Sequence, residues 1–513
     1  MRFVSLITAL ALTLSACTTM PPSSHDLFEA TTSQLQQQMT EGRLSSEQLV
    51  QYYLARIQRF DDQGPELNAV ISLDPSAIAQ AKALDKERQA GKLRGPLHGI
   101  PVLLKDNIDS LGVANTGGSV LFKDNLPVDD AFLVKKLRDA GVIILGKANL
   151  SEWANFRSTR SSSGWSAMGG QTRNPYDTSA STCGSSSGSG AAVAANLTTL
   201  AVGTETDGSL VCPGAINGIV SIKPTLGLVS RDGIIPIAHS QDTAGPMTRT
   251  LRDAVLLLQA MSGQDPGDAA SYTDTRDFTQ HLTKDGLRGK RIGVVRSLMG
   301  YHPLLDGVFE QQLDLLRAQG ATLVDTELDE QWGDDEFTIL LHEFKPDMAA
   351  YLASTSLPYR SLNDLLEANL AHQEQELAIF GQEIFAMAVA RSDEQQAEYL
   401  EALARAKQQA GAEGIDALLA KDKLDLLIAP TVGPAWKTDH INGDHYLGAA
   451  SSAAAVAGYP HITIPMGFVE VPGSPALPVG MSFFGTAKSE PVLIEAAFGY
   501  EQASQKRRPP KLH

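Results

Sequence analysis

Residues 183–209 limit what this chain can fold into more than any other stretch. They begin with Cys183 and the run Gly184-Ser185-Ser186-Ser187-Gly188-Ser189-Gly190, then pass straight into Ala191-Ala192-Val193-Ala194-Ala195, whose residues favour a helix. A glycine-rich loop therefore feeds a helix N-terminus, where free N–H groups and partial positive charge suit a negative or strongly polar group. An apolar run, 200–203, and a polar loop, Thr204-Glu205-Thr206-Asp207-Gly208-Ser209, follow. Ser185 and Ser209 thus sit on two separate loops.

Composition alone makes such a run a flexible linker. A phosphate-binding loop is excluded, because no Gly-Lys-Ser/Thr ending follows Gly190. Gly184-Ser185-Ser186-Ser187-Gly188 also matches the nucleophile elbow that would make Ser186 the nucleophile. An elbow needs a buried strand just before it, whereas 172–180 reads as turn and loop, so this is the weaker reading.

The deciding segment lies upstream, at Gly99-Ile100-Pro101-Val102-Leu103-Leu104-Lys105-Asp106-Asn107. An apolar run of strand length ends in Lys105, which puts the amine at the rim of a buried sheet. Desolvation lowers a lysine pKa, and a neutral amine is a usable general base. Read alone, a lysine in this position equally well caps a strand end in solvent.

Together, Lys105, Ser185 and Ser209 resemble the amidase signature family, which carries a lysine after a Gly-Ile-Pro run, a Gly-Ser-Ser loop and a second serine in a Gly-Ser loop. The flanks agree: Gly170-Gln171-Thr172-Arg173-Asn174-Pro175 before the serine run, Lys223-Pro224-Thr225 and Gln241-Asp242-Thr243-Ala244-Gly245-Pro246 after it. The resemblance spans roughly 29–509. It implies an α/β fold with a central mixed sheet covered by helices on both faces, and amide hydrolysis through an acyl-enzyme. In that mechanism Ser209 is the nucleophile, Ser185 the bridging hydroxyl behind a cis Gly184–Ser185 bond, and Lys105 the base. The backbone N–H groups of Thr206, Asp207 and Gly208 form the oxyanion hole. Segments 203–209 and 429–436 look most like bacterial peptide amidases, which implies a C-terminal peptide carboxamide as substrate. A broad aliphatic or aryl amidase carries the same three residues, as do amidotransferase subunits. A silent peptide-binding lipoprotein is disfavoured because all three positions are filled. No cofactor and no obligate protein partner are implied.

Residues 1–16 carry one cation, Arg2, and an apolar stretch too short to span a bilayer, so they read as a secretory signal. Leu14-Ser15-Ala16-Cys17 resembles a bacterial lipobox, which implies lipidation of Cys17, a tether over 17–30 and a single catalytic domain over 31–513. Thr18 after the cysteine points to the outer membrane, with the bulk of the protein in the periplasm. Signal and anchor argue against the amidotransferase reading, because transfer RNA stays in the cytoplasm. Cys183 and Cys212 would pair in an oxidising compartment only with Cα atoms within about 7 Å. The expectation is two buried free thiols.

A net charge of −17, with no basic run beyond Lys506-Arg507-Arg508, argues against nucleic acid as a partner. The 11 histidines form no metal-binding motif, so no metal is expected. Ser45-Ser46-Glu47-Gln48 reads as a capping box, and Val50, Tyr53, Leu54 and Ile57 follow at helical spacing. A second helix is expected from Pro75 to Ala90, stopped by Gly91. Strands are expected at 100–104, 142–145, 291–295 and 426–429. The run 265–268 reads as a surface turn. Residues 361–421 read as a long acidic helical region, either a solvated layer, the favoured reading, or a cover for the cleft. Trp153, Phe156, Trp165 and Trp436 flank the family motifs and are candidates for cleft or core.

Overall fold

The computed structural model describes residues 24–512. The lipobox, Cys17 and the segment 1–16 lie outside the described residues. Thirteen strands occur among them: β1 Val70–Leu73, β2 Pro101–Lys105, β3 Ile143–Ala148, β4 Trp165–Ser166, β5 Gly170–Gln171, β6 Leu200–Glu205, β7 Val220–Lys223, β8 Thr243–Thr248, β9 Arg291–Val295, β10 Thr322–Thr326, β11 Leu426–Pro430, β12 His461–Val469 and β13 Leu477–Phe484. Apart from the small β4–β5 ribbon, all join one sheet in the order β1-β3-β2-β6-β8-β7-β12-β13-β11-β9-β10. The β2–β3, β2–β6, β9–β10 and β9–β11 pairs are parallel. The remaining pairs are antiparallel, so the sheet is mixed, and helices flank it.

Local chemistry explains the elements that position the site. The helix Ser46–Phe60 starts with the reciprocal Ser45–Gln48 capping box and buries Leu49, Val50, Tyr53 and Ile57 against the sheet, with Leu54 half-buried. Tyr53 ends in a 2.8 Å hydroxyl contact with Thr199, next to β6. The second expected helix is Ala77–Gln89, and Gly91 follows it at φ +73°. β2 and β6, the strands that carry the site, are buried along their whole length. Runs of this kind belong at the centre of a sheet covered on both faces.

The helix expected to begin at Ala191 begins earlier, at Ser187, inside the glycine and serine run. Its glycines are there for close packing rather than flexibility. A Cβ on Gly188 would lie 2.3 Å from the Ala69 carbonyl oxygen and 2.5 Å from that of Asn149. The helix therefore lies directly on neighbouring backbone, and its serines are buried.

The described part of the expected tether is docked on the body. Leu27 and Ala30 are buried, the Glu29 N–H donates to Asn196 at 2.8 Å, and the Glu29 carboxylate pairs with Arg507 at 2.8 Å. One of the three basic tail residues is thus consumed in closing the fold. In 265–268 only Pro266 and Gly267 form an exposed turn. Asp265 and Asp268 are buried, one accepting from Ser230 and the other pairing with Arg231. Residues 361–421 are helical, and Ile384 and Phe385 pack beside Phe344, Trp153 and Phe156. Buried Arg157 ties this layer down, reaching Glu152 at 2.7 Å and Glu376 at 3.5 Å.

Replacing Gly188 by Ala forces backbone against backbone, and we expect a loss of about 1–3 kcal/mol by urea denaturation. An unchanged midpoint would show that the helix can lift off β3 at no cost.

Candidate active site

The site is built by two loops that meet over the ends of β2 and β6. In the first, the serines divide by partner. The Ser186 hydroxyl donates to the Thr204 carbonyl at 3.0 Å and accepts from the Thr204 N–H at 3.2 Å. Ser187 donates to the Cys183 carbonyl at 2.7 Å, and Ser189 to the Val202 carbonyl at 3.1 Å. These three serve the architecture. Ser185 differs, because its hydroxyl accepts from the Lys105 amine at 2.7 Å, and the Gly184–Ser185 peptide bond is cis. Ser186, the residue of the elbow reading, faces the β6 backbone instead of a cleft.

Lys105 closes β2 with its side chain 0% exposed. Its amine also donates to the Thr204 hydroxyl at 2.8 Å and to the Thr204 carbonyl at 3.3 Å. Asn107 donates to the same Thr204 hydroxyl at 3.0 Å. All of these amine contacts are to neutral oxygens. Burial lowers the Lys105 amine to about 7, and the more distant charges of Asp242 and Glu205 only partly oppose that shift. The amine is therefore available in its neutral form near neutral pH.

The second loop, 206–210, turns β6 into the helix Val211–Ile216. Buried Glu205 fixes this turn, its carboxylate accepting from the Leu210 N–H at 2.8 Å and the Val211 N–H at 3.1 Å. Gly208 sits at φ +75°, in the left-handed region, and a Cβ there would press on the Ser451 hydroxyl at 3.1 Å. The Thr206 hydroxyl donates to Asp242 at 2.6 Å. Ser209, 8% exposed, ends the turn at the cleft, and its carbonyl accepts from the Ser186 N–H at 3.2 Å. Among the described residues no hydrogen bond joins the Ser185 and Ser209 hydroxyls, so the Lys105 link is formed and the Ser209 link is open.

The two cysteines correct the free-thiol expectation. Cys183 and Cys212 form a disulfide, with Cα atoms 6.0 Å apart. One precedes the cis peptide and the other lies in the helix after Ser209. Both loops converge on the cleft, which brings residues 29 positions apart within bridging distance.

A cavity of about 320 Å³ opens at Ser209, lined by Gly184, Thr206, Asp207 and Gly208 on the reacting side. Its walls are Phe156, Leu340, Trp436 and Tyr446. Phe156 and Trp436 thus line the cleft, whereas Trp153 and Trp165 pack inside against Phe122 and Phe380. Residues 361–421 supply none of this lining among the described residues, in keeping with a helical layer rather than a cover. Sequence reasoning missed Asn155, Asp444 and Ser451 in the lining, and Glu336 behind it. Asp444 accepts from the Trp436 indole at 2.9 Å and from the Ser163 N–H at 3.0 Å, which fixes that wall. Asn155 is aimed by three successive left-handed residues, Trp153, Ala154 and Asn155, at φ +51°, +53° and +70°. Glu336 accepts from Gln241 at 2.8 Å, and burial, reinforced by the Asp207 charge, raises its carboxyl to about 8. These residues come from distant segments and carry no local motif. Thr204 stands inside the 203–209 motif and was the one missed partner that β6 alternation from Glu205 could have supplied.

Known proteins share this fold and much of this sequence. The amidase family model matches residues 48–494. The crystal structure of native peptide amidase from Stenotrophomonas maltophilia superposes with a TM-score of 0.89 at 52% identity, covering 94% of this chain and 99% of that one. An amidase family protein from Bacillus anthracis superposes at 0.86 with 35% identity, covering 95% and 94%. A probable amidase from Arabidopsis thaliana is 41% identical over 506 residues, 95% of this chain and 93% of the relative. With that span matched, and a buried lysine, a cis-linked serine and a cleft serine brought together, the chain belongs to the amidase signature family and is a hydrolase of carboxamide C–N bonds.

Proposed function

We propose that this enzyme removes the C-terminal carboxamide of peptides, with Ser209 as nucleophile, Ser185 as bridging hydroxyl and Lys105 as base. The observation that carries the assignment is the 2.7 Å bond from a fully buried amine to Ser185. An amide is a poor electrophile with a poor leaving group, so the site must activate a nucleophile, stabilise an oxyanion and protonate the departing nitrogen. Ser209 Oγ attacks the carbonyl carbon and passes its proton through Ser185 to neutral Lys105. The N–H groups of Thr206, Asp207 and Gly208 receive the oxyanion. The proton returns through Ser185 to the nitrogen, ammonia leaves, and water then attacks the Ser209 ester by the same relay. The peptide specificity is supported by the likeness to peptide amidase and by the apolar and aromatic walls at Phe156, Leu340, Trp436 and Tyr446. A periplasmic, lipid-anchored location is part of the proposal. It is supported by the lipobox at Cys17 and by a disulfide suited to an oxidising compartment.

Because Lys105 must start neutral, kcat/KM should rise with pH through an apparent pKa of about 7 and level off above it. The sign follows from burial: desolvation disfavours the charged amine, so acid restores the charge and removes the base. A flat profile between pH 5.5 and 8.5 would exclude Lys105 as the base.

Ser209→Ala should abolish acyl-enzyme formation, and Lys105→Ala should lower turnover by about 10²–10⁴-fold with cooperative unfolding retained. Ser186→Ala should cost about 1 kcal/mol of stability through its two lost bonds to Thr204 and change turnover less than about tenfold. A folded but inactive Ser186→Ala enzyme would overturn the assignment.

Ammonia release identifies the substrate. We expect it from an acylated peptide amide, and not from the same peptide with a free carboxylate. Release from simple aliphatic and aryl amides alone would keep the mechanism and replace the peptide reading with a general amidase.

A further inference from the structure

Among the described residues, one cluster of metal-ligating side chains stands outside the amidase machinery. His239 lies in the loop between β7 and β8, and Glu343 and Asp347 lie one turn apart on the helix Gly333–Ala353. The His239 Nδ1 atom is 2.9 and 3.1 Å from the two Asp347 oxygens and 3.5 Å from Glu343 Oε2. The donor atoms of all three residues lie within 4.8 Å of one another. We propose that His239, Glu343 and Asp347 form a binding site for a divalent transition-metal ion of the zinc class.

The first argument is valence. An imidazole nitrogen carries at most one proton, so one N–H facing two carboxylates serves each only in part, whereas a cation between them engages all three groups. The second is distance. Zinc bonds of about 2.0–2.1 Å in a tetrahedral array separate neighbouring donors by about 3.3 Å. The observed 2.9 and 3.1 Å to the Asp347 oxygens and 3.5 Å to Glu343 lie on either side of that edge.

The third argument is orientation. Metal-binding carboxylates are normally held by further hydrogen bonds. Here Asp347 Oδ2 accepts from the His239 backbone N–H at 2.9 Å, which holds the carboxylate with both oxygens facing the imidazole. Glu343, 1% exposed, accepts from the Tyr399 hydroxyl at 2.8 Å on Oε1 and from the Ser240 N–H at 2.9 Å on Oε2. Of the neighbouring cations, Arg231 is paired with Asp268 while it also interacts with the Asp347 charge, and Lys407 interacts with that of Glu343.

Access and metal type follow. His239 is 55% exposed, and both it and Asp347 line a cavity of about 610 Å³ that supplies an entry path. An imidazole with two carboxylates favours zinc and its neighbours over calcium or magnesium, which prefer all-oxygen sites. The ion would tie the 237–242 loop to the helix. That loop includes Asp242, which accepts from Thr206 and from the Ile237 and Ala238 N–H groups, so the tie would brace the turn leading to Ser209.

The test is calorimetric titration of chelator-treated full-length enzyme with zinc chloride, beside His239→Ala and Asp347→Asn. We expect one ion per chain, and affinity lowered at least about 100-fold in each variant. Circular dichroism melts check that the variants fold, and His239 is exposed enough to be replaced without touching the core. Cobalt(II) added to the wild-type enzyme should develop visible absorption bands that His239→Ala lacks. Absence of saturable binding by the wild-type chain would overturn the proposal. So would zinc binding that both variants retain unchanged.

Discussion

Everything at this site depends on keeping the Lys105 amine dry. β2 and β6 run parallel in the interior of the sheet, and the lysine at the end of β2 turns toward Thr204 near the end of β6. Helix Ser187–Ala194 seals the same region from the other loop, and it comes close enough only because Gly188 has no side chain. Water would restore the ordinary lysine pKa and remove the base proposed above. The buried apolar sheet, the glycine contact and the hydroxyl partners therefore serve one electrostatic end.

The second requirement is register between the loops. Ser209 lines the cleft and Ser185 lies buried beside it, and the two come from separate loops. They are fixed to each other by the Ser186 N–H on the Ser209 carbonyl, by Ser186 on Thr204, and by the Cys183–Cys212 bridge. Glu205 adds the remaining restraint by fixing the N–H groups of 210 and 211. The serines of the run that are not candidates for chemistry are the ones that hold those that are.

Much of this was legible in the chain itself. The capping box at Ser45, the strand at 291–295 and the strand ending in Lys105 were readable because local patterning and burial agree there. The start of the helix at Ser187 was not, because glycine and serine propensity argues for a loop while packing on the Asn149 and Ala69 backbone rewards a helix. The disulfide was not legible either, since pairing depends on a Cα separation that sequence spacing does not report. The same holds for Glu336 and Ser451, which meet the 206–208 turn across more than a hundred residues of chain, and for Asp444, which lines the same cavity. Tertiary contacts of that length leave no periodic or motif signal.

Among the described residues three lysines are fully buried, and comparing them shows why only one suits the proposed role of base. Lys147, on the strand beside Lys105, lies 3.1 Å from the Asp106 carboxylate and donates to the Ile108 carbonyl at 2.7 Å. A paired charge of that kind anchors a sheet, and no serine hydroxyl is among its partners. Lys223 donates to the Tyr459 carbonyl at 2.6 Å, and burial lowers it to about 8, but its described partners are backbone carbonyls, which cannot pass a proton on. Lys105 has acidic neighbours too, yet they are turned elsewhere: Asp242 to the Thr206 hydroxyl and loop N–H groups, Glu205 to the N–H groups of 210 and 211. Its own contacts include the hydroxyls of Ser185 and Thr204, which both donate and accept. The proposed base is thus the buried lysine whose carboxylate neighbours are satisfied by other groups and whose own partner is a serine hydroxyl beside the cleft.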